Sequence, residues 1–273
     1  AFRMEDHRDA RFSAAATHAE SPSVLHYTSG TTGAPKGALH VHGSVFAQYL
    51  TSKVVLDIRD DDVYWCTADP GWVTGTSYGI IGPWSLGATQ VVLDGGFSSE
   101  RWYGTIERHR VSVWYTAPTA IRMLMKDGLD PVRRRDLSSL RHACSVGEPL
   151  NPEAVRWGRE AFGLWFHDTF WQTETGAIVV TNLPGMPVKP GSMGRPFPAV
   201  EAAIVEPGTG VPIAEAGRVG LLAIRPPWPS LMRAYWNNTA AYYGKFLNGS
   251  RLGSHADILT EDRQLQFHRI VSL

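Results

Sequence analysis

Residues 28–37 read Thr28-Ser29-Gly30-Thr31-Thr32-Gly33-Ala34-Pro35-Lys36-Gly37, with four hydroxyls, three glycines and one lysine in ten positions. Glycines let a backbone turn with its N–H groups facing one point. Hydroxyls add donors and a lysine adds positive charge, a combination suited to a polyphosphate. An apolar stretch, Val24-Leu25-His26-Tyr27, leads in and Ala38-Leu39-His40-Val41 leads out. The run therefore reads as a polar loop between two strands. A flexible Gly/Ser/Thr linker has a similar composition, but it has no need of apolar flanks or of a lysine behind a rigid proline.

Two other phosphate loops do not fit. One wants Gly, four residues, then Gly-Lys-Ser/Thr; counted from Gly30, the fifth residue on is Pro35, and Lys36 is followed by Gly37. The dinucleotide fingerprint wants a helix opening directly after the glycines, and none is expected here.

Further polar clusters follow short apolar runs. Thr173-Glu174 taken alone is ordinary helix-cap chemistry, and Gly147-Glu148-Pro149 is an ordinary strand-end turn. His26, His40, His42, His142 and His167 include no pair at i,i+4 with an intervening glutamate, the zinc-type arrangement. His40 and His42 fall on one strand face without further ligands, so all five are expected to be structural or to support site residues without touching the ligand.

Taken in order, Thr28–Gly37, Asp69-Pro70-Gly71-Trp72-Val73-Thr74-Gly75, Tyr115-Thr116-Ala117-Pro118-Thr119, Ser145-Val146-Gly147-Glu148-Pro149-Leu150-Asn151 and Asp168-Thr169-Phe170-Trp171-Gln172-Thr173-Glu174-Thr175-Gly176 resemble the AMP-forming acyl-adenylate superfamily. The acetyl-CoA synthetase branch is the nearest pattern, over about residues 22–245. The resemblance implies that ATP and acetate give acetyl-AMP and pyrophosphate, and that coenzyme A then takes the acetyl group. It implies that Thr28, Ser29, Gly30, Thr31, Thr32, Gly33 and Lys36 hold the terminal phosphates. Gly147, Glu148 and Pro149 with Asp168 and Thr169 would sandwich the adenine, with Gln172 also at the nucleotide. Thr173 would meet the α-phosphate and Glu174 would hold Mg²⁺, an ion that takes one or two carboxylates plus phosphate oxygens. Lys36, Thr173 and Glu174 are then the catalytic candidates. Trp171, with Val73 and Thr74, would wall an acyl pocket sized for acetate, because an indole fills space that a longer tail would use.

The sequence also departs from that pattern. The ribose-binding aspartate of the family is expected in a Gly-Asp pair, where this chain has Ser254 or His255, with Asp257 out of register. The family's hinge, mobile C-terminal domain and adenylation lysine do not occur before Leu273, and Arg269 is the candidate for the arginine ahead of the hinge. The tail from about Asn248 looks diverged, and the phosphate loop lies closer to the start than in the family. The expectation is the central part of such an enzyme, with weak or no turnover by itself. The alternative is a non-catalytic nucleotide-binding remnant. A different short-chain or aryl acid ligase is disfavoured by Trp171.

Strands and helices must position these groups. Gly43 to Val55 carries Val45, Phe46, Tyr49, Leu50 and Val54 at helical spacing. Val63–Cys66, Gln90–Leu93 and Val111–Tyr115 read as strands, the first two as buried ones. Ser99 reads as a helix N-cap, Pro118 as the first turn of a helix through Met125, and Asn151-Pro152-Glu153 as the cap of a helix to Phe162. Alternating strands and helices predict an α/β fold, a layered, mostly parallel sheet with flanking helices. After about residue 185, Pro and Gly crowd in around strand-like runs at Val200–Val205 and Val219–Arg225, which predicts a small β-rich subdomain. The expected organisation is a polar leader over 1–21, an α/β part over 22–185 and the β-rich part over 186–273.

The 273 residues are 43% hydrophobic and 19% charged, enough for a sizeable core. Twenty-six basic residues balance 26 acidic ones, which gives no electrostatic case for nucleic acid or an anionic membrane. Two cysteines, Cys66 and Cys144, make no disulfide framework and suit a cytoplasmic, reducing setting. No apolar run reaches the ~20 residues of a membrane span. The expected partners are small molecules, namely ATP, acetate and coenzyme A.

Overall fold

A computed structural model of the chain describes residues 13–28, 35–246 and 258–260. The expected strand–loop–strand is present at its two ends. β1 (Pro22–Thr28) pairs antiparallel with β2 (Lys36–Val41), with Thr28 opposite Lys36. Ser29, Gly30, Thr31, Thr32 and Gly33 lie outside the described residues, as do Ser254, His255, Asp257 and Arg269.

The centre of the fold is a seven-stranded sheet. β3 (Val63–Cys66), β4 (Thr89–Val91), β5 (Val113–Thr116), β6 (His142–Ser145) and β7 (Phe166–Phe170) run parallel in the order β4-β3-β5-β6-β7. β8 (Val180–Thr181) and β9 (Arg195–Pro196) extend it antiparallel beyond β7. Both faces of the parallel part are covered, as parallel sheets require. Side-chain alternation sorts one set, Tyr64, Val113, Tyr115, Cys144 and Val146, into one core, and Trp65, Trp114, Ala143 and Phe166 into the other. The α/β expectation is borne out.

Helices connect the strands. α1 (Ser44–Val54) precedes β3. A continuous helical run from Val73 to Ser85 joins β3 to β4: α2 (Val73–Thr76), a π-turn (Ser77–Ile81) and α3 (Gly82–Ser85). α4 (Ser99–His109), α5 (Pro118–Lys126), α6 (Asp130–Arg133) and α7 (Pro152–Phe162) follow. Proline opens α5 and α7 as expected, and Gly163 in the left-handed region ends α7.

Four local expectations need correction. The apolar positions Val45, Phe46 and Val54 of α1 are exposed, and its buried face is Ser44, Ala47, Gln48, Thr51 and Ser52. Two residues of that face, Gln48 and Thr51, are held by hydrogen bonds to other elements. Thr51 Oγ1 hydrogen-bonds the Tyr78 hydroxyl at 2.7 Å, and Gln48 Nε2 donates to Ser77 Oγ and to the Gly176 carbonyl. β4 is an edge strand with an exposed Thr89, and Val92 beyond it is 79% exposed, so the run is not a buried strand. The N-cap of α4 is Ser98, one residue before Ser99, and neither it nor Asn151 caps through its side chain. Asn151 Nδ2 donates to Glu153 instead. β2 ends at Val41, so His42 lies in an exposed turn and shares no strand face with His40.

Beyond β9, β10 (Glu201–Val205) and β11 (Leu221–Arg225) pair antiparallel, with β13 (Ile258–Thr260) against β11. β12 (Ala234–Tyr235) returns to β2 and pairs with Leu39 and Ala38. α8 (Thr239–Phe246) follows β12. Among the described residues, no helix is long and apolar enough to cross a membrane.

Candidate active site

The chain leaves β3 for β4 on one side, then crosses back past β3 to β5 on the other. That reversal opens a crevice at the carboxyl ends of β3 and β5, where open α/β sheets bind ligands. Two threonines mark it: Thr67 and Thr116, directly after β3 and at the end of β5, share a hydrogen bond of 2.7 Å between hydroxyls. A cleft of about 960 Å³ opens there and continues past the ends of β6 and β7.

Most of the expected residues meet in this one cleft. Thr28 lines it at the end of β1, and Val73 and Thr74 line it at the start of the long helical run. Gly147, Glu148 and Pro149 come from the turn after β6, and Asp168 through Glu174 from the end of β7 and the loop beyond. Strand register places the two turns side by side, since Ser145 is the partner of Asp168. Gly147 has φ +95°, and a Cβ there would meet open space. Lys36 is not on the cleft wall. Its Nζ lies 5.6 Å from the Tyr235 ring centroid.

The Glu148 carboxylate is held from α5: Thr119 Oγ1 donates to it at 2.6 and 2.9 Å, and Arg122 forms an ion pair with it. Asp168 Oδ1 accepts from Ser145 Oγ at 2.7 Å and from its neighbour's N–H, Thr169, at 3.1 Å. Burial outweighs those donors and pushes the Asp168 carboxyl up to about 7.

Thr173 and Glu174 sit in a loop, not at a helix end, which removes the cap reading. Glu174 is buried, and its Oε1 accepts from the Tyr235 hydroxyl at 2.7 Å. The segment from Ser230 to Tyr235, which ends in β12, fastens this loop. Ser230 Oγ donates to the Thr175 carbonyl at 2.6 Å, and the Met232 N–H donates to the Glu174 carbonyl at 2.9 Å. His40 sits between the two segments, with Nδ1 3.0 Å from the Ser230 carbonyl and Nε2 2.8 Å from that of Thr173. Burial holds its imidazole below the usual histidine range. So β2, which starts at Lys36, is tied directly to the Thr173–Glu174 loop.

Trp171 is buried at the cleft wall. The Tyr78 ring packs edge-on against it, centroids 5.0 Å apart. Its Nε1–H donates to the Tyr115 hydroxyl at 3.2 Å.

Sequence reasoning missed Tyr235, gave Tyr115 no role beyond its place in a motif, and left His40 as structural or supporting without naming its partners. Each acts across elements distant in sequence, and a motif read along the chain carries no signal for that. Cys66 and Cys144 are buried free thiols, and burial pushes both up, Cys66 to about 11. Among the described residues there is no group of three or more His, Cys, Asp or Glu that could hold a metal by itself.

Residues 3–236 match the family described as AMP-binding enzyme, a span that begins and ends earlier than the expected one. The chain is 57% identical over 227 residues to an acetyl-coenzyme A synthetase of Bacillus subtilis (strain 168), covering 83% of this chain and 39% of that protein. An acetyl-coenzyme A synthetase of Pyrobaculum aerophilum is 47% identical over 233 residues, covering 82% of this chain and 34% of that one. The chain thus spans well under half the length of these relatives. Among solved structures, an acyl-CoA synthetase from Brucella canis superposes with a TM-score of 0.72 at 35% identity, over 78% of this chain and 39% of that chain. With the fold, the shared cleft and the matched span in agreement, this chain belongs to the family of AMP-binding enzymes.

Proposed function

We propose that the cleft binds ATP and acetate, forms acetyl-AMP with release of pyrophosphate, and presents that anhydride to coenzyme A. The observation that carries the reading is that Thr28, Val73, Gly147 and Glu174, from four separate motifs, line one cavity with Trp171. The similarity to acetyl-coenzyme A synthetases supports the choice of acid.

In this reading the acetate carboxylate attacks the α-phosphorus and pyrophosphate leaves. Lys36, with Thr28, Ser29, Gly30, Thr31, Thr32 and Gly33, holds the β- and γ-phosphates and so offsets the charge on the leaving group. Thr173 meets the α-phosphate. The turns Gly147–Pro149 and Asp168–Thr169 close on the adenine, with Gln172 beside them. Val73, Thr74 and Trp171 enclose the methyl end of acetate and keep water from the anhydride. The coenzyme A thiol then attacks the acetyl carbonyl, and AMP leaves.

Glu174 fits a magnesium ion: it offers one hard carboxylate at the cleft, and the ion completes its shell with phosphate oxygens and water. Bound there, magnesium would neutralise phosphate charge.

Acetate-dependent exchange of labelled pyrophosphate into ATP tests the proposal. Slow exchange that needs acetate is the expected result. Adenosine nucleotide binding with no exchange would favour a nucleotide-binding module without chemistry.

A further inference from the structure

Trp171 is one end of a hydrogen-bond chain that crosses three strands. The indole N–H can only donate, and a backbone carbonyl can only accept. Those two ends fix the direction of everything between. Trp171 Nε1–H donates to the Tyr115 hydroxyl at 3.2 Å, and that hydroxyl donates to Thr169 Oγ1 at 2.8 Å. Thr169 in turn donates to the Ser145 carbonyl at 2.7 Å. The links come from β5, β7 and β6, all in the rigid parallel sheet. Tyr115 is fully buried, and Tyr78 packs edge-on against both its ring and the indole, at 5.7 and 5.0 Å.

We propose that Tyr115 is the residue that sets the acyl-length limit, acting through Trp171 as a positioning residue: its hydroxyl pins the indole across the end of the acyl pocket. This rests on the reading above that Trp171 closes that pocket. An aromatic side chain turns about two bonds. The edge-on contact with Tyr78 permits several tilts of the indole, whereas the N–H bond selects one. Without an acceptor, the buried indole N–H is left unpaired and the bond that selects its tilt is gone. The same chain passes through Thr169, one of the residues proposed to hold the adenine. Acyl and adenine subsites are thereby held in register by Tyr115.

The test uses the 273-residue chain and two unreactive mimics of acyl-AMP, the ethyl and butyl esters of AMP. Calorimetry gives the ratio of their dissociation constants. The unaltered chain is expected to prefer the ethyl ester. Tyr115→Phe keeps the ring and loses only the hydroxyl, and is expected to shrink that preference about five- to tenfold. Thr169→Val, which removes the next link, is expected to shrink it less. Tyr64→Phe, which strips an equally buried hydroxyl that donates to the Tyr78 carbonyl, is expected to leave it unchanged. Trp171→Gly serves as the reference for an open pocket. If Trp171→Gly abolishes the preference while Tyr115→Phe and Thr169→Val both retain it in full, the role of Tyr115 is overturned and the acyl pocket stands. If Trp171→Gly retains the preference, or the unaltered chain binds neither ester, the pocket reading itself falls and the inference with it. Thermal melts verify that each variant is folded, and should Tyr115→Phe fail to fold, Thr169→Val decides the matter.

Discussion

The Tyr235 hydroxyl donates to Glu174 Oε1 at 2.7 Å, and the Lys36 ammonium lies 5.6 Å from the centroid of the same tyrosine ring. One buried side chain therefore stands between the lysine proposed to hold the terminal phosphates and the carboxylate proposed to hold magnesium. Tyr235 reaches that position because β12 pairs with β2, which places it opposite Ala38. Its neighbour Trp236 donates its N–H to the Gly37 carbonyl, one residue from the lysine. The strand that begins at Lys36 and the loop that would hold the metal are parts of one hydrogen-bonded unit.

Tyr235→Phe keeps the ring under Lys36 and removes the donor to Glu174. The fold is expected to lose about 1 kcal/mol, the usual net worth of one hydrogen bond. ATP affinity in magnesium is expected to fall more than AMP affinity without it. Urea denaturation and calorimetry check the two parts separately. Equal losses for both nucleotides would contradict the link to the carboxylate.

Gly176→Ala should be among the most damaging substitutions in the chain. Gly176 has φ +69°, and a Cβ there would lie 2.3 Å from the Ser230 carbonyl oxygen and 2.9 Å from His40 Cε1. Backbone strain and collision act together, so a loss of at least about 2 kcal/mol is expected. Nucleotide binding should weaken as well, because the same contacts hold Thr173 and Glu174. A variant that melts and binds like the parent would contradict the described packing.

Stability should fall as pH drops from neutrality toward 4. Burial lowers the His26 and His142 imidazoles from the ordinary 6.5 to about 4. Groups lowered on folding stabilise fully above 6.5, and that contribution is lost as pH falls through 4. Asp168, raised to about 7, works the other way: its contribution is present at low pH and is lost as pH rises through 7. Two histidines oppose one aspartate, and each uncompensated proton is worth about 1.4 kcal/mol per pH unit. The net slope is therefore toward acid instability. Replacing His142, whose Nε2 bonds the Val55 carbonyl at 2.9 Å, by Gln should flatten it. Urea titrations at pH 7, 6 and 5 measure the slope, and a rise in stability on acidification would refute the assignment.

Lys36→Ala should separate ATP from AMP. A lysine that meets only the terminal phosphates has nothing to bind in AMP. ATP affinity is expected to fall about ten- to hundredfold, the range of a charge-assisted hydrogen bond, with AMP affinity unchanged. Parallel losses for both nucleotides would place the lysine elsewhere.

Much of this was legible in the sequence, because the motifs lie at strand ends and short apolar runs announce the strands. Thr28, Val73 and Gly147 come from three separate segments, Asp168, Trp171 and Glu174 come from a fourth, and all of them line the same cleft. What was not legible depends on partners far along the chain. The inverted face of α1 follows from Tyr78, Ser77 and Gly176 receiving its polar side chains, which helical spacing alone does not reveal. Val92 is exposed because β4 forms the sheet edge, a matter of strand order rather than local pattern. His40 looked like an isolated strand histidine, yet its two nitrogens face carbonyls 133 and 190 residues away.

The most direct measurement is a crystal structure of the chain with the ethyl ester of AMP bound. The account predicts the adenine between Gly147–Pro149 and Asp168–Thr169, the phosphate beside Thr173, and the ethyl group against Trp171. Density for the ester outside this cleft, or with its alkyl end turned away from the indole, would contradict it.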